Sequence, residues 1–194
     1  MKINLFVIHG YNGDTLETFG PYVEKEAKRR GLEVILPSFP AKELVTYASW
    51  SDVLEKYRSE IDKNTIIVAH SLGTHFIPRY LADKNLTVGL YISMAGFLND
   101  HSGRLDLEKV VKEFKPNEEQ INKAIKLMGN RYSIYSNDDH LNPQEELEKY
   151  AERFNSNKVF IPNIGHMGRK SGIKEIPQIM KIIDDYLTSS RESM

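Results

Sequence analysis

The stretch TIIVAHSLGTHF, residues 65–76, places Ser71 between an apolar run and a segment of helical period. A serine hydroxyl is a weak nucleophile at neutral pH, so it needs a general base to take its proton and a carboxylate to orient that base. Ser71 could also be only the N-cap of an ordinary helix. The two interpretations are separated by whether an acid and a histidine occur where they can reach the hydroxyl.

The partners that such a nucleophile needs follow two later apolar runs, in SNDDHLNP, residues 136–143, and PNIGHMG, residues 162–168. Because the loops after parallel strands converge at one edge of a sheet, both segments can meet the serine there. His166 has the chain position wanted for the base, and the glycine before it permits a tight turn. We predict His166 as the general base and Asp138 or Asp139 as the acid.

Six short runs rich in apolar and β-branched residues are predicted as strands buried on both faces. They span residues 3–8, 32–36, 65–69, 88–93, 132–135 and 159–161. Segments with apolar residues at the i, i+3, i+4, i+7 spacing of helices lie between them. Strands that alternate with helices form right-handed βαβ units, so we predict the α/β class, with a mostly parallel sheet between helical layers. The length of 194 residues fits a single domain over residues 1–194.

Residues 97–130 separate the fourth and fifth predicted strands by more than one crossover helix needs. Two short amphipathic helices, divided at Pro116, are predicted to fill this interval. Their apolar faces are Leu107, Val110, Val111 and Phe114 in the first, and Ile121, Ala124, Ile125 and Met128 in the second. This helical excursion either packs on the sheet as a surface element or covers a cleft as a small cap.

Two backbone amides near Ser71 are candidates for an oxyanion hole, the pair of N–H donors that stabilises a tetrahedral intermediate. The amide of Leu72 lies at the start of the predicted helix, where N–H groups have no helical partner. The amide of Tyr11 lies in HGYNGD, residues 9–14, a glycine-containing loop after the first strand. A phosphate-binding P-loop is the competing interpretation of this loop, but its Lys and Ser or Thr are missing.

Several apolar or aromatic side chains follow predicted strands and are candidates for an acyl pocket. We predict substrate contact for His75, Phe97 and Met167, and similar positions are held by Leu72, Met94 and Leu141. Residues of these types are at least as often part of the core. No HExxH pair or comparable spacing of ligands on one helix occurs, so the sequence predicts no metal site and no cofactor.

The chain carries 26 Lys and Arg residues against 27 Asp and Glu, so it has no large basic field for nucleic acid and no polybasic membrane signal. The absence of cysteine excludes a disulfide framework, a cysteine nucleophile and a thiolate zinc site, and it fits the reducing cytosol. The apolar run in MKINLFVIHG is too short for a signal peptide or a membrane span. We predict a cytoplasmic protein with a small-molecule substrate and no nucleic-acid or membrane partner.

The segment AHSLG, residues 69–73, resembles the GxSxG nucleophile elbow of α/β-hydrolases, with alanine at the first small position. Together with Trp50, the acid segment and GHM, it resembles the small serine hydrolases of the retinoblastoma-binding protein 9 family, a compact, YdeN-like group of α/β-hydrolases. This resemblance implies a three-layer α/β/α sandwich with sheet order 2-1-3-4-5-6 and no large cap. In that family the acid is the second of two adjacent aspartates, with a proline four residues on, which here is Asp139, with Pro143.

The resemblance also implies cleavage of carboxylic esters with small or short acyl groups through an acyl-enzyme. Ser71 would be the nucleophile, His166 the base and Asp139 the acid that orients it. A thioesterase, a peptidase or an acyltransferase would use the same three residues. The alternative from a different class is a protein that keeps the fold and uses the cleft or surface only to bind a partner.

Overall fold

Six parallel strands form one sheet at the centre of this computed structural model, which describes residues 3–11, 13, 17–41, 44–100 and 105–192. The strands are β1 (Asn4–Ile8), β2 (Glu33–Ile35), β3 (Ile66–His70), β4 (Val88–Met94), β5 (Met128–Tyr135) and β6 (Asn157–Phe160). Their order across the sheet is β2-β1-β3-β4-β5-β6, and all five pairings are parallel. The predicted sheet order is confirmed.

Helices connect the strands throughout the part of the chain that the structure describes. They are α1 (Gly20–Arg29), α2 (Tyr47–Glu55), α3 (Gly73–Lys84), α4 (Leu105–Phe114), α5 (Glu118–Leu127), α6 (Gln144–Arg153) and α7 (Pro177–Glu192). Helix α7 begins at a proline, which is tolerated there because the first N–H of a helix has no partner in any case. Among the described residues, no helix has the length and apolar character needed to cross a membrane.

The sheet is covered on both faces, because side chains alternate in direction along each strand. Phe6 and Ile8 of β1 point into one core, which contains side chains of α2 to α6. Leu5 and Val7 of the same strand point into a second core, which contains side chains of α1 and α7. The alternation along this one strand produces the predicted three-layer α/β/α sandwich.

The helical excursion differs from its prediction at its carboxyl end. Met128, predicted on the apolar face of the second helix, is instead the first residue of β5, four residues before the predicted start of that strand. It pairs with Val88 of β4. The next three residues, Gly-Asn-Arg, form no apolar run, so the backbone ladder rather than side-chain burial holds this part of the strand. Residues 101–104 of the excursion lie outside the described residues.

Candidate active site

Ser71 occupies a sharp turn between β3 and α3. Its φ of 52° is in the left-handed region, which non-glycine residues adopt rarely and often at functional sites. The turn packs closely on the loop after β1. A β-carbon on Gly73 would lie 3.0 Å from the carbonyl oxygen of His9, and one on Gly10 would lie 3.0 Å from the β-carbon of Ser71. Glycine at these two positions therefore lets the two loops approach each other beside the serine.

A chain of hydrogen bonds joins the three residues predicted as nucleophile, base and acid. Nε2 of His166 lies 2.9 Å from Oγ of Ser71, and Nδ1 of His166 lies 2.7 Å from Oδ2 of Asp139. The Asp139 side chain is fully buried, and the other oxygen of its carboxylate accepts hydrogen bonds from the amides of Leu141 and Asn142. Both oxygens of Asp139 are therefore occupied, which fixes the carboxylate in the turn.

The charge on Asp139 determines which nitrogen of His166 carries a proton. Burial acts to raise the pKa of Asp139, but the hydrogen bond and charge of His166 and the two backbone amides outweigh it, so this pKa is lowered. An ionised carboxylate only accepts hydrogen bonds, so Nδ1 of His166 is the donor. Nε2 is then free of its proton in the neutral ring and can accept the hydroxyl proton of Ser71, as a general base must.

Asp138 makes different contacts from its neighbour. Its Oδ1 accepts hydrogen bonds from the Ser136 hydroxyl at 2.6 Å and from the amide of Gly165 at 2.7 Å. These bonds lower the pKa of this exposed carboxyl. Ser136 in turn accepts a hydrogen bond from the amide of Ile164. Asp138 therefore ties the loop that carries the acid to the turn before His166, and it does not hydrogen bond to the imidazole.

The two residues predicted to supply an oxyanion hole, Leu72 and Tyr11, both line the cavity that contains Ser71. Leu72 is the N-cap residue of α3, so its amide is among the helix-terminal N–H groups that have no helical partner. Asn12 and Asp14, in the same loop as Tyr11, lie outside the described residues. The structure thus brings both candidate residues to the site without testing their role.

The sequence pattern of the serine hydrolase family matches residues 5–185 of this chain. The chain belongs to the serine hydrolase family. The Bacillus subtilis (strain 168) protein YdeN is 24% identical to this serine hydrolase over 190 residues, which are 97% of this chain and 98% of YdeN. The match therefore spans nearly the whole length of both proteins.

Solved structures share the fold of this serine hydrolase. The crystal structure of the ydeN gene product from B. subtilis has a TM-score of 0.85, with 97% of this chain and 100% of that chain covered. A structure from work on carboxylesterases of Nitrososphaera gargenis is 14% identical in sequence, with a TM-score of 0.72. The match covers 100% of this chain and 92% of that chain. At these identities the likeness establishes an α/β-hydrolase fold and nothing finer.

The serine hydrolase has a cavity of 180 Å³ that reaches Ser71 and His166. Apolar side chains of its wall include Phe97, Leu107, Val110, Val111 and Leu141. Three of these side chains come from α4, whose Val111 and Phe114 also lie in the core. The first helix of the excursion therefore packs against α3 and forms one side of the cavity, and its role as a small cap stays a prediction.

The structure does not bring every predicted pocket residue to this cavity. Phe97, Leu72 and Leu141 line it, whereas His75, Met94 and Met167 are not among the described residues of its wall. His75 is buried with its ring edge-on to Phe97, at 4.5 Å between centroids, and so lies behind the wall. Met167 is fully buried in the core that α1 and α7 cover, because the chain turns inward after His166. These three side chains therefore lie outside the wall of this cavity, and substrate contact by His75 and Met167 stays a prediction.

The sequence analysis did not predict three polar residues of the cavity wall, His140, Arg169 and Lys170. His140 lies next to Asp139 in sequence, with its ring centroid 5.9 Å from that of His166, and Arg169 and Lys170 follow His166 in a turn of 3-10 helix. Their closeness in sequence to predicted catalytic residues was the available signal. No group of three or more His, Asp or Glu side chains suited to a metal ion occurs among the described residues.

Proposed function

We propose that this serine hydrolase cleaves carboxylic esters with small or short acyl groups, with Ser71, His166 and Asp139 as a catalytic triad. The observation that supports the proposal most strongly is the unbroken hydrogen-bond chain from Asp139 through His166 to Ser71, beside an apolar cavity. A protein that only binds a partner has no need of a base held by a buried carboxylate.

The reaction proceeds in two displacements. Oγ of Ser71 attacks the acyl carbon while Nε2 of His166 takes the hydroxyl proton. The bond from the acyl carbon to the leaving oxygen then breaks, and Nε2 returns the proton to that oxygen. Water attacks the acyl-enzyme in the same way and releases the acid and free Ser71. Asp139 stays ionised and stabilises the imidazolium in both halves, and the amides of Leu72 and Tyr11 hold the oxyanion.

The size of the cavity limits the acyl group. An apolar cavity of about 150 Å³ is large enough to bind benzene. The cavity of 180 Å³ in this hydrolase should therefore hold an acyl group of about six carbon atoms. Val110 of α4 forms part of its wall, and the neighbouring Lys109 is exposed, so this helix offers a matched pair of sites for substitution.

Hydrolysis of nitrophenyl esters, from acetyl to dodecanoyl, tests the proposal. We expect kcat/KM to be highest at or below about six acyl carbons and to fall beyond that length. Val110→Phe should lower kcat/KM for the hexanoyl ester more than for the acetyl ester, because the added ring fills the cavity. Lys109→Ala, the control, should leave the whole profile unchanged. A profile that rises to dodecanoyl, or one that ignores Val110→Phe, contradicts the proposed pocket.

Several finer predictions rest on the sequence and stay predictions. Thioesters and peptides with the same acyl group belong in the same assay series, because the triad is common to those activities. Membership of the retinoblastoma-binding protein 9 family, a cytoplasmic location and the lack of a nucleic-acid partner are likewise inferred from residue patterns and charge. The short apolar cavity supports the small size of the proposed acyl group.

A further inference from the structure

His70, the last residue of β3, makes a hydrogen bond to the main chain of the predicted base. Its Nε2 lies 2.8 Å from the carbonyl oxygen of His166, and the side chain is buried. Because a carbonyl oxygen only accepts, Nε2 of His70 must carry the proton. This bond fixes the tautomer of His70 and joins the end of β3, next to Ser71, to the loop that carries His166.

The opposite side of the His70 ring packs against the loop after β1. Nδ1 of His70 has no hydrogen-bond partner among the described residues, and a β-carbon on Gly10 would lie only 3.3 Å from it. The ring centroid of Phe19 is 5.9 Å away, in an edge-on arrangement. His70 therefore lies between the loop of the candidate oxyanion hole and the loop of His166, one residue before Ser71.

The loop of His166 needs such anchors, because its backbone is unusual. Asn163, Gly165 and Met167 all have φ values between 56° and 59°, in the left-handed region. Non-glycine residues adopt that region at a cost, so tertiary contacts must hold the loop in place.

Four side-chain contacts hold successive main-chain groups of this loop. Asn137, Ser136 and Asp138 accept hydrogen bonds from the amides of residues 163, 164 and 165. Those three belong to the loop that carries Asp139, and so they set the position of His166 relative to its acid. The fourth contact, from His70 to the carbonyl of His166, comes from the nucleophile strand and sets the position of His166 relative to Ser71.

The charge state of His70 suits this position. Burial and the charge of the nearby His166 lower the pKa of His70 to about 3, and His9 adds a smaller effect in the same direction. The hydrogen bond to the carbonyl of His166 and the charge of Asp139 act to raise this pKa, but their effects are smaller. His70 is therefore neutral near pH 7. It places no second positive charge beside His166 when that ring takes the proton of Ser71.

We propose that His70 is a positioning residue, whose Nε2–H holds the carbonyl of His166 and thereby sets the distance between the His166 imidazole and the Ser71 hydroxyl. The effect on catalysis rests on the proposed function, whereas the hydrogen bond itself does not. Loss of the bond leaves the His166–Asp139 contact in place and loosens the contact with Ser71. Misplacement of a reacting group by about 1 Å can cost on the order of 100-fold in rate.

The experiment compares His70→Gln with His70→Leu. The Gln amide can donate to the same carbonyl, whereas Leu has a similar size and no donor. We expect His70→Leu to lower kcat for ester hydrolysis by about 10- to 100-fold with KM little changed, and His70→Gln to recover most of that loss. Val68→Ala, a core truncation two residues earlier on β3, controls for stability and should leave kcat unchanged. Equal activity of the Leu and Gln variants at matched stability would overturn the proposal.

A second measurement covers the case in which His70→Leu does not fold. Nitrogen-15 NMR of the histidine-labelled wild-type protein should show His70 as the neutral Nε2–H tautomer from about pH 5 to pH 8, a range in which an unperturbed histidine changes its charge. An Nδ1–H tautomer, or a charged ring in that range, would contradict the proposal. The NMR result does not depend on ester hydrolysis, so failure of the proposed function is distinguished from failure of the role assigned to His70.

Discussion

Two adjacent aspartates differ in environment because consecutive residues of a turn direct their side chains to different neighbours. The Asp139 side chain is buried and hydrogen bonds to the imidazole of His166. Asp138 is exposed and hydrogen bonds to Ser136 and to the backbone of Gly165. The residue types alone left either carboxylate open as the acid, and the resemblance to a known family favoured Asp139. The hydrogen-bond geometry favours the same residue.

Substitution of each aspartate by asparagine tests this division. Asp139→Asn should lower kcat on the order of 10⁴-fold, because an amide no longer enforces the tautomer with the proton on Nδ1 of His166. Asp138→Asn should lower kcat far less and should mainly destabilise the fold, since it weakens a link between two loops. Steady-state kinetics and urea unfolding of both variants measure the two effects. A larger kcat loss in Asp138→Asn would reverse the assignment.

At the scale of the elements, Pro78 within helix α3 allows a hydrogen bond from the neighbouring helix α6. Pro78 has no N–H, so the carbonyl of Thr74 one turn earlier loses its helical partner. The hydroxyl of Tyr150 on α6 donates a hydrogen bond to that carbonyl at 2.9 Å. The same hydroxyl lies 3.1 Å from that of Tyr91 on β4. The proline thus leaves a carbonyl of α3, the helix after Ser71, available for a hydrogen bond from α6, the helix after the loop that carries Asp139.

A double-mutant cycle tests this contact. Tyr150→Phe should lower the free energy of unfolding by about 1–3 kcal/mol, because it leaves a buried carbonyl without a partner. In a Pro78→Ala background the cost should be smaller, since the restored N–H of residue 78 can bond to the carbonyl of Thr74. Urea unfolding of the four proteins gives the coupling free energy. An unchanged cost in the two backgrounds would show that Tyr150 does not act through this carbonyl.

At the scale of the whole molecule, the sequence predicted the layers better than the direction of individual side chains. Strands buried on both faces must be apolar along their length, so the runs in the sequence located the sheet and implied helices on both sides. Backbone in irregular loops carries no such period. Met167, with a φ of 56°, directs its side chain into a core and not into the cavity. No pattern in the sequence indicated this direction. The early start of β5 at Met128 was missed because backbone pairing can hold a polar segment in a strand.

The stability of the whole molecule should depend on pH through His70. Its folded-state pKa of about 3 is below the ordinary histidine value of about 6.5. Between those values the unfolded chain binds a proton at this residue and the folded chain does not, so the free energy of unfolding falls as pH decreases from about 6.5. The pKa values of Asp138 and Asp139 are also lowered, but their contribution is present above about pH 3.9 and is lost only below it.

We therefore expect His70→Gln to weaken the decline in stability between about pH 6.5 and pH 4.5, because glutamine binds no proton in either state. Urea unfolding of wild type and variant across this range measures the difference in slope. The Asp138→Asn variant is the control. It should leave the slope in this range unchanged, because the carboxylate of Asp138 affects the pH dependence of stability only below about pH 3.9. Identical slopes for wild type and His70→Gln would mean that His70 takes up its proton as readily in the folded state as in the unfolded chain.

The central claim is that Ser71 is a nucleophile activated by His166. Labelling with a fluorophosphonate probe, followed by mass spectrometry of the modified peptide, tests it most directly. We predict that wild type is labelled on Ser71, that Ser71→Ala is not labelled and loses on the order of 10⁶ in kcat, and that Asp139→Asn is labelled slowly. Labelling of Ser71→Ala at the wild-type rate, or a wild-type protein that does not react, would contradict the claim.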